Sequence, residues 1–240
     1  MDVVGIVDNA AIRFSAQLAR HNAAIDFLIS KLVTIDLLKG AVAVAVLWAV
    51  WFGSAPEPWH NRKTVLKTIL AGLLAAGISR AIQNLLPHRP RPMHAAPDFI
   101  PPVGIGPVEI EWMRSWSSFP SDHAALFFAL AAGIWPVNRR LSAGLFAWTT
   151  IVICVPRVYL GLHYVSDILG GLVLGVALAI AVRSIPDRAL APLRRIEMKQ
   201  PAAFYAMALI MSYEMAQLFA DLRTIGSEVI RAARLMTAAS

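Results

Sequence analysis

Apolar residues run along this chain in long blocks, separated by short polar or proline-rich stretches. Five blocks predict membrane-spanning helices: Leu37 to Phe52, Val65 to Leu86, Ala124 to Trp135, Leu141 to Val155 and Tyr164 to Val182. Pro87 ends the second, and Val137-Asn138-Arg139-Arg140 turns the chain after the third. Ala202 to Ala220 reads as a sixth, although Glu214 and Gln217 interrupt it. A hydrocarbon core of about 30 Å takes about 20 helical residues. Several blocks are shorter, so thin spans, or ends that continue into the interface, are expected.

Before these blocks, Ile12, Leu18, Ile25, Leu28, Ile29 and Leu32 recur at helical spacing between Ala11 and Leu38, predicting one amphipathic helix at the membrane interface. The first 36 residues have no uninterrupted apolar core and do not read as a secretory signal. Gly53 to Lys63 and Pro90 to Phe119 read as loops, and the tail from Leu222 as a further amphipathic helix. The fold class is therefore all-α: a polytopic membrane bundle of five or six transmembrane helices with an N-terminal interfacial helix. Its parts are 1–36 (interfacial helix), 37–182 (membrane core) and 183–240 (basic loop, sixth span and tail). No internal repeat is visible.

Composition agrees. Hydrophobic residues make up 58% of the 240 and charged ones 15%, with a mean hydropathy of +0.60. Soluble domains carry about 25% charged residues, which argues against a water-facing globule and against disorder. The net charge of +7 suits nucleic acid in principle, but cations flanking apolar blocks more often set membrane orientation. The single cysteine, Cys154, excludes an internal disulfide and a cysteine metal cluster. Arg62, Lys63, Arg139, Arg140, Arg183, Arg188, Arg194, Arg195 and Lys199 fall in loops of one side. Asp98, Glu109, Glu111 and Arg114 fall in the long loop of the other. The positive-inside rule puts that long loop outside the cytoplasm. Arg223, Arg231 and Arg234 count against this if the sixth block crosses.

Polar outliers gather on the side of the long loop. Arg89-Pro90-Arg91-Pro92 follows the second block, Pro120-Ser121-Asp122-His123 opens the third, and Arg157, His163 and Asp167 flank the join of the fourth and fifth. Ionisable groups at such depth are costly and mark function by default. Arg91 and Arg157 can each present a planar fork to phosphate oxygens. Ser121 stands at a helix start, where free N–H groups favour an anion. His163 and Asp167, four apart, put a carboxylate beside an imidazole, fixing its tautomer and freeing the other nitrogen to attack phosphorus. His123 can then protonate the leaving oxygen. No metal cage is apparent from the spacing.

The pieces R-P-R-P, P-S-D-H and R-x5-H-x3-D, in this order, resemble the three-part signature of the type 2 phosphatidic acid phosphatase superfamily, which includes the vanadium haloperoxidases. The resemblance covers about Leu37 to Val182. It implies a metal-independent phosphatase, without cofactor, working through a phosphohistidine. His163 would be the nucleophile, Asp167 its orienting partner and His123 the acid, with Arg91, Ser121 and Arg157 on the phosphoryl group. Bacterial membrane members act on polyprenyl diphosphates or phospholipid phosphates. That implies a lipid partner in the bacterial inner membrane, no nucleic acid, and a site on the extracytoplasmic face. Asp122, where many members have glycine, is similar to undecaprenyl diphosphate phosphatases.

Two positions depart from the signature. Its usual lysine falls at Asn84 and its usual serine at Pro156. Arg80, one turn before Asn84, and Arg89 are rival replacements for the lost cation; snorkelling, or an ion pair with Glu214, is the structural alternative for Arg80. His60, His88 and His94 read as interfacial or loop residues. Gly170, Gly171 and Gly175 read as helix packing. Phosphatidate or phosphatidylglycerol phosphate hydrolysis, haloperoxidase chemistry and a non-catalytic transport or lipid-binding bundle are the competing functions.

Overall fold

Prolines and polar caps set most helix starts among the described residues. The computed structural model describes residues 3–19, 21–35, 37–54, 57–95, 111 and 113–219, and all regular structure among them is helical. The N-terminal segment is two helices, α1 (Val3–Leu18) and α2 (Ala23–Thr34). The single amphipathic helix predicted from Ala11 to Leu38 is broken because the Asn22 side chain accepts from the N–H groups of Ala24 (3.0 Å) and Ile25 (3.3 Å), starting a new helix. A π-turn, Leu37–Ala41, leads into α3 (Val42–Trp51). α4 (Pro58–Leu85) opens on a proline, whose missing N–H is no loss in a first turn.

A short α5 (Pro92–Ala95) follows, then α6 (Asp122–Gly133), started by Ser121. α7 (Arg139–Tyr159) begins after the Asn138 cap and contains a π-helical stretch, Thr149–Cys154, just before Pro156. α8 (Val165–Arg183), a 3-10 turn (Asp187–Leu190), α9 (Ala191–Lys199) and α10 (Pro201–Ala216) complete the described chain.

Among the described residues, α4, α7 and α8 are long and apolar enough to cross a membrane. α2 and Leu38–Trp51 add a fourth span if that pair, bent by 65°, is one crossing. The expected five or six spans are thus not reached by length. α6 has 12 residues and α10 has 16. Twelve residues rise about 18 Å, well short of the hydrocarbon core. α6 is nonetheless the centre of the bundle: every residue from Ala124 to Gly133 is buried. Protein, not lipid, surrounds it, which is why its sequence is apolar all round.

α8 approaches α6 through two glycines. A Cβ on Gly171 would stand 2.6 Å from the Ser121 carbonyl oxygen, and one on Gly175 would collide with the carbonyl of Ala125. Such close approach needs small residues and seats the start of α6 against the start of α8. Outward from this core, Leu169, Val173 and Ile180 of α8, and Met207, Leu209 and Ile210 of α10, expose large apolar side chains. This is a lipid-facing surface in a membrane protein. The first helices are apolar on the outside too, with Val4, Ile6, Phe14, Phe27 and Leu28 exposed, while Asp8 and Asp26 are buried. The tail from Leu222, Gly106 and most of the long loop lie outside the described residues.

Candidate active site

The three polar motifs meet where the starts of α6 and α8 adjoin the end of α4. Backbone hydrogen bonds tie the segments together: Ser121 N–H donates to the Asp167 carbonyl (3.1 Å), Met93 N–H to Gly161 (3.0 Å) and Ser118 N–H to Arg89 (2.9 Å). α4 holds the Pro120 turn, as Ser79 Oγ (3.1 Å) and Gln83 Nε2 (2.7 Å) both donate to the Pro120 carbonyl. Motif spacing carries no sign of these two residues, and their pattern on α4 is visible only once the helix is packed.

His163 is buried, just before α8. Its Nδ1 lies 3.0 Å from the Ser118 carbonyl oxygen and 3.5 Å from Asp167 Oδ2. The expected carboxylate partner is present, but the nearer acceptor is a backbone carbonyl, because Asp167 Oδ2 is also engaged by the Tyr164 N–H at 2.8 Å. Both neighbours of Nδ1 accept only, so the proton resides there and Nε2 carries the lone pair. That nitrogen faces Arg91 Nη1 at 3.4 Å. Burial lowers the His163 pKa from its ordinary value, the hydrogen bond with Asp167 opposes this, and Arg91 lowers it further. The imidazole is therefore neutral at neutral pH.

Arg91 is buried and donates from Nη1 to the Leu162 carbonyl (2.6 Å). Burial pulls its pKa down, while Asp122 and Asp167 support its charge. Among the described residues, its Nε and the Ser118 hydroxyl are both buried without a hydrogen-bond partner. Buried polar groups of this kind require a reason, and two donors beside a histidine suit an anion. Ser118 was not singled out by motif spacing; its position two residues before Pro120 was the available signal. Arg157 is buried as well, with Nη1 on the Ile153 carbonyl (2.9 Å), and is close enough to act electrostatically on His123. Ser121 is fully buried, its Oγ accepting from Ala124 N–H at 3.4 Å.

At the start of α6, His123 Nδ1 lies 2.9 Å from Asp122 Oδ1, again placing the proton on Nδ1. Asp122 Oδ2 pairs with Arg80 Nη2 at 2.5 Å, and Arg80 Nη1 donates to Gln83 Oε1 at 2.9 Å. The Arg80 guanidinium also lies over the Trp116 ring, 4.6 Å from its centre. Arg80 therefore meets Asp122, not Glu214, which is buried, its Oε2 without a partner among the described residues. Asn84, the signature position, is exposed: the residues of α4 that face the site are Ser79, Arg80 and Gln83. Arg89 is held by Asp167 Oδ1 (2.6 Å), Ser166 Oγ (2.9 Å) and Asp8 Oδ2 (2.8 Å).

Buried arginines and two carboxylate-paired histidines thus adjoin one helix junction of an α-helical membrane fold. The PAP2 superfamily model matches residues 65–190, just over half the chain, and the chain belongs to that superfamily. It is similar to YbjG of Escherichia coli (strain K12), whose name carries a provisional undecaprenyl-diphosphatase assignment, with 30% identity over 141 residues, 59% of this chain and 64% of that protein. It thus spans just under two thirds of that relative. Undecaprenyl-diphosphatase BcrC of Bacillus subtilis (strain 168) is 25% identical over 165 residues, 66% of this chain and 74% of that one. A solved structure, a transmembrane PAP2-type phosphatidylglycerolphosphate phosphatase from Bacillus subtilis, aligns with 22% identity and a TM-score of 0.42, covering 78% of this chain and 88% of that chain.

Proposed function

We propose that this protein is a membrane lipid phosphatase that removes the terminal phosphate of a polyprenyl diphosphate, undecaprenyl diphosphate foremost. Superfamily membership supports the phosphatase reading, and the names of both relatives support the substrate. The observation that carries the chemistry is the orientation of His163: Nδ1–H on the Ser118 carbonyl and Nε2 toward Arg91.

His163 Nε2 attacks the terminal phosphorus, and the bond from phosphorus to the bridging oxygen breaks. Arg91, Arg157, Ser121 and Ser118 gather the equatorial oxygens, donors that matter most as charge builds in the transition state. Asp167 stabilises the positive ring of the phosphohistidine. Burial and Arg157 lower the His123 pKa, with Asp122 opposing them. Once the anionic diphosphate is bound, its charge together with Asp122 favours the imidazolium, whose Nε2 proton goes to the departing lipid monophosphate. The resulting neutral imidazole then accepts a proton from water as that water attacks phosphohistidine, releasing inorganic phosphate and restoring His163. Arg80 anchors Asp122. The apolar surface of the helices keeps the isoprenoid tail in the bilayer while the headgroup reaches the site, on the extracytoplasmic face of a bacterial inner membrane. Nine loop cations on the opposite side support that orientation.

Phosphate release by the purified protein in detergent, from undecaprenyl diphosphate, phosphatidate and phosphatidylglycerol phosphate, tests this reading. Highest kcat/KM on the diphosphate is expected. Preference for a phospholipid phosphate moves the substrate, and inertness toward all three removes the activity.

A further inference from the structure

Asp8 lies on α1, far outside the superfamily match, yet it is 4% exposed and its carboxylate is fully engaged beside the site. Oδ1 accepts from the Ser166 N–H (3.0 Å), and Oδ2 accepts from Ser166 Oγ (2.6 Å) and from Arg89 Nη2 (2.8 Å). Arg89 in turn gives Nη1 to Asp167 Oδ1 at 2.6 Å, and its guanidinium rests on the Tyr164 ring, 4.1 Å from the centre. Asp167 is wholly buried and reaches His163 Nδ1. One unbroken chain of contacts therefore runs from α1 to the proposed nucleophile: Asp8, Arg89, Asp167, His163. The second helix is anchored in the same way, with Tyr159 Oη donating to the buried Asp26 at 2.5 Å.

We propose that Asp8 is a positioning residue for the phosphatase reaction, setting through Arg89 the negative charge that Asp167 offers to His163. A lone arginine on Asp167 would neutralise it, leaving little charge to stabilise the imidazole as it becomes cationic on attack. With Asp8 as a second carboxylate, the cluster Asp8–Arg89–Asp167 keeps a net charge of −1. Asp8 also holds the backbone of Ser166, fixing the first turn of α8 that carries Asp167. On this view Arg89 belongs to the carboxylate and not to the phosphate, and the N-terminal helices are part of the active-site assembly. The other charged groups facing His163 are Arg91 from the loop after α4 and Asp122 at the start of α6.

The inference rests on the phosphatase reading, and the test separates the two. Asp8→Asn keeps the acceptor for Ser166 N–H but removes the charge. It should lower kcat about tenfold, with KM changed less than about twofold. It should also move the acid limb of the pH–rate profile to lower pH, because an imidazolium at His163 loses support. Arg89→Gln leaves two unscreened carboxylates and should move that limb to higher pH. The double variant restores the cluster charge of −1, and its limb should return toward the wild-type position. Asp8→Glu, which keeps the charge, should recover to within about threefold of wild type. Opposite shifts that cancel are not produced by loosened packing. Limbs that coincide in all variants, or an unchanged kcat in Asp8→Asn, overturn the proposal. If Asp8→Asn does not accumulate as folded protein, the double variant set against Arg89→Gln decides it: its limb should lie at lower pH than that of Arg89→Gln, and coinciding limbs overturn the proposal. A wild type inert toward every lipid phosphate sinks the phosphatase reading instead.

Discussion

Arg80 and Asp122 form an ion pair of 2.5 Å between α4 and the first residue of α6, and the same carboxylate meets His123 Nδ1 at 2.9 Å. The arginine one turn before Asn84 thus contacts His123 through Asp122, and in the proposed mechanism it positions the acid. Arg80→Ala should lower kcat by about two orders of magnitude, since a misplaced acid and a lost cation both raise the barrier. Asn84→Ala should change it less than about twofold, because that side chain is exposed. Steady-state kinetics on both variants checks this, and equal losses would return the role to Asn84.

His123→Asn should slow release of the alcohol from a lipid monophosphate such as phosphatidate far more than release of nitrophenol from nitrophenyl phosphate, because nitrophenol departs without a proton and an alkoxide does not. Comparing kcat on the two substrates is sufficient. Equal losses would remove His123 from the acid role.

Burial sets the direction of the pH dependence. The His163 pKa is lowered from 6.5, chiefly by desolvation. As pH falls through the lowered value, Nε2 gains a proton and loses its lone pair. The acid limb of kcat/KM should therefore lie below pH 6.5. A limb above that value would mean His163 is not the titrating nucleophile.

Gly171→Leu should cost stability, because its Cβ alone meets the Ser121 carbonyl oxygen at 2.6 Å. A loss of about 1–3 kcal/mol is the usual range for overpacking, read as a lower melting temperature in detergent. Gly77→Ala, where an added Cβ meets nothing within 4 Å, is the control and should leave melting unchanged or slightly raised.

What could be read from the residue order, and what could not, follows from the range of the interactions. The His163–Asp167 proximity was legible because both lie within one turn of each other. The Ser118 carbonyl was not, since a backbone acceptor leaves no residue signature. Asn84 against Gln83 turns on the 100° that separates successive helical positions, which only packing resolves. The Arg89–Asp8 pair joins positions 81 residues apart, beyond any local pattern. Length alone does not make α6 a span, and its sequence does not decide the matter, because apolarity signals burial equally well in lipid and in protein. The composition and apolar blocks still identified an all-α membrane fold, because those features are summed over many residues.

The central claim is that phosphate passes through His163. Rapid quenching of the enzyme with undecaprenyl diphosphate labelled in its terminal phosphate should trap an acid-labile, base-stable phosphoprotein, with the label on the peptide carrying His163. His163→Asn should take up no label and release no phosphate. Label on another residue, or turnover that persists in His163→Asn, would contradict the account.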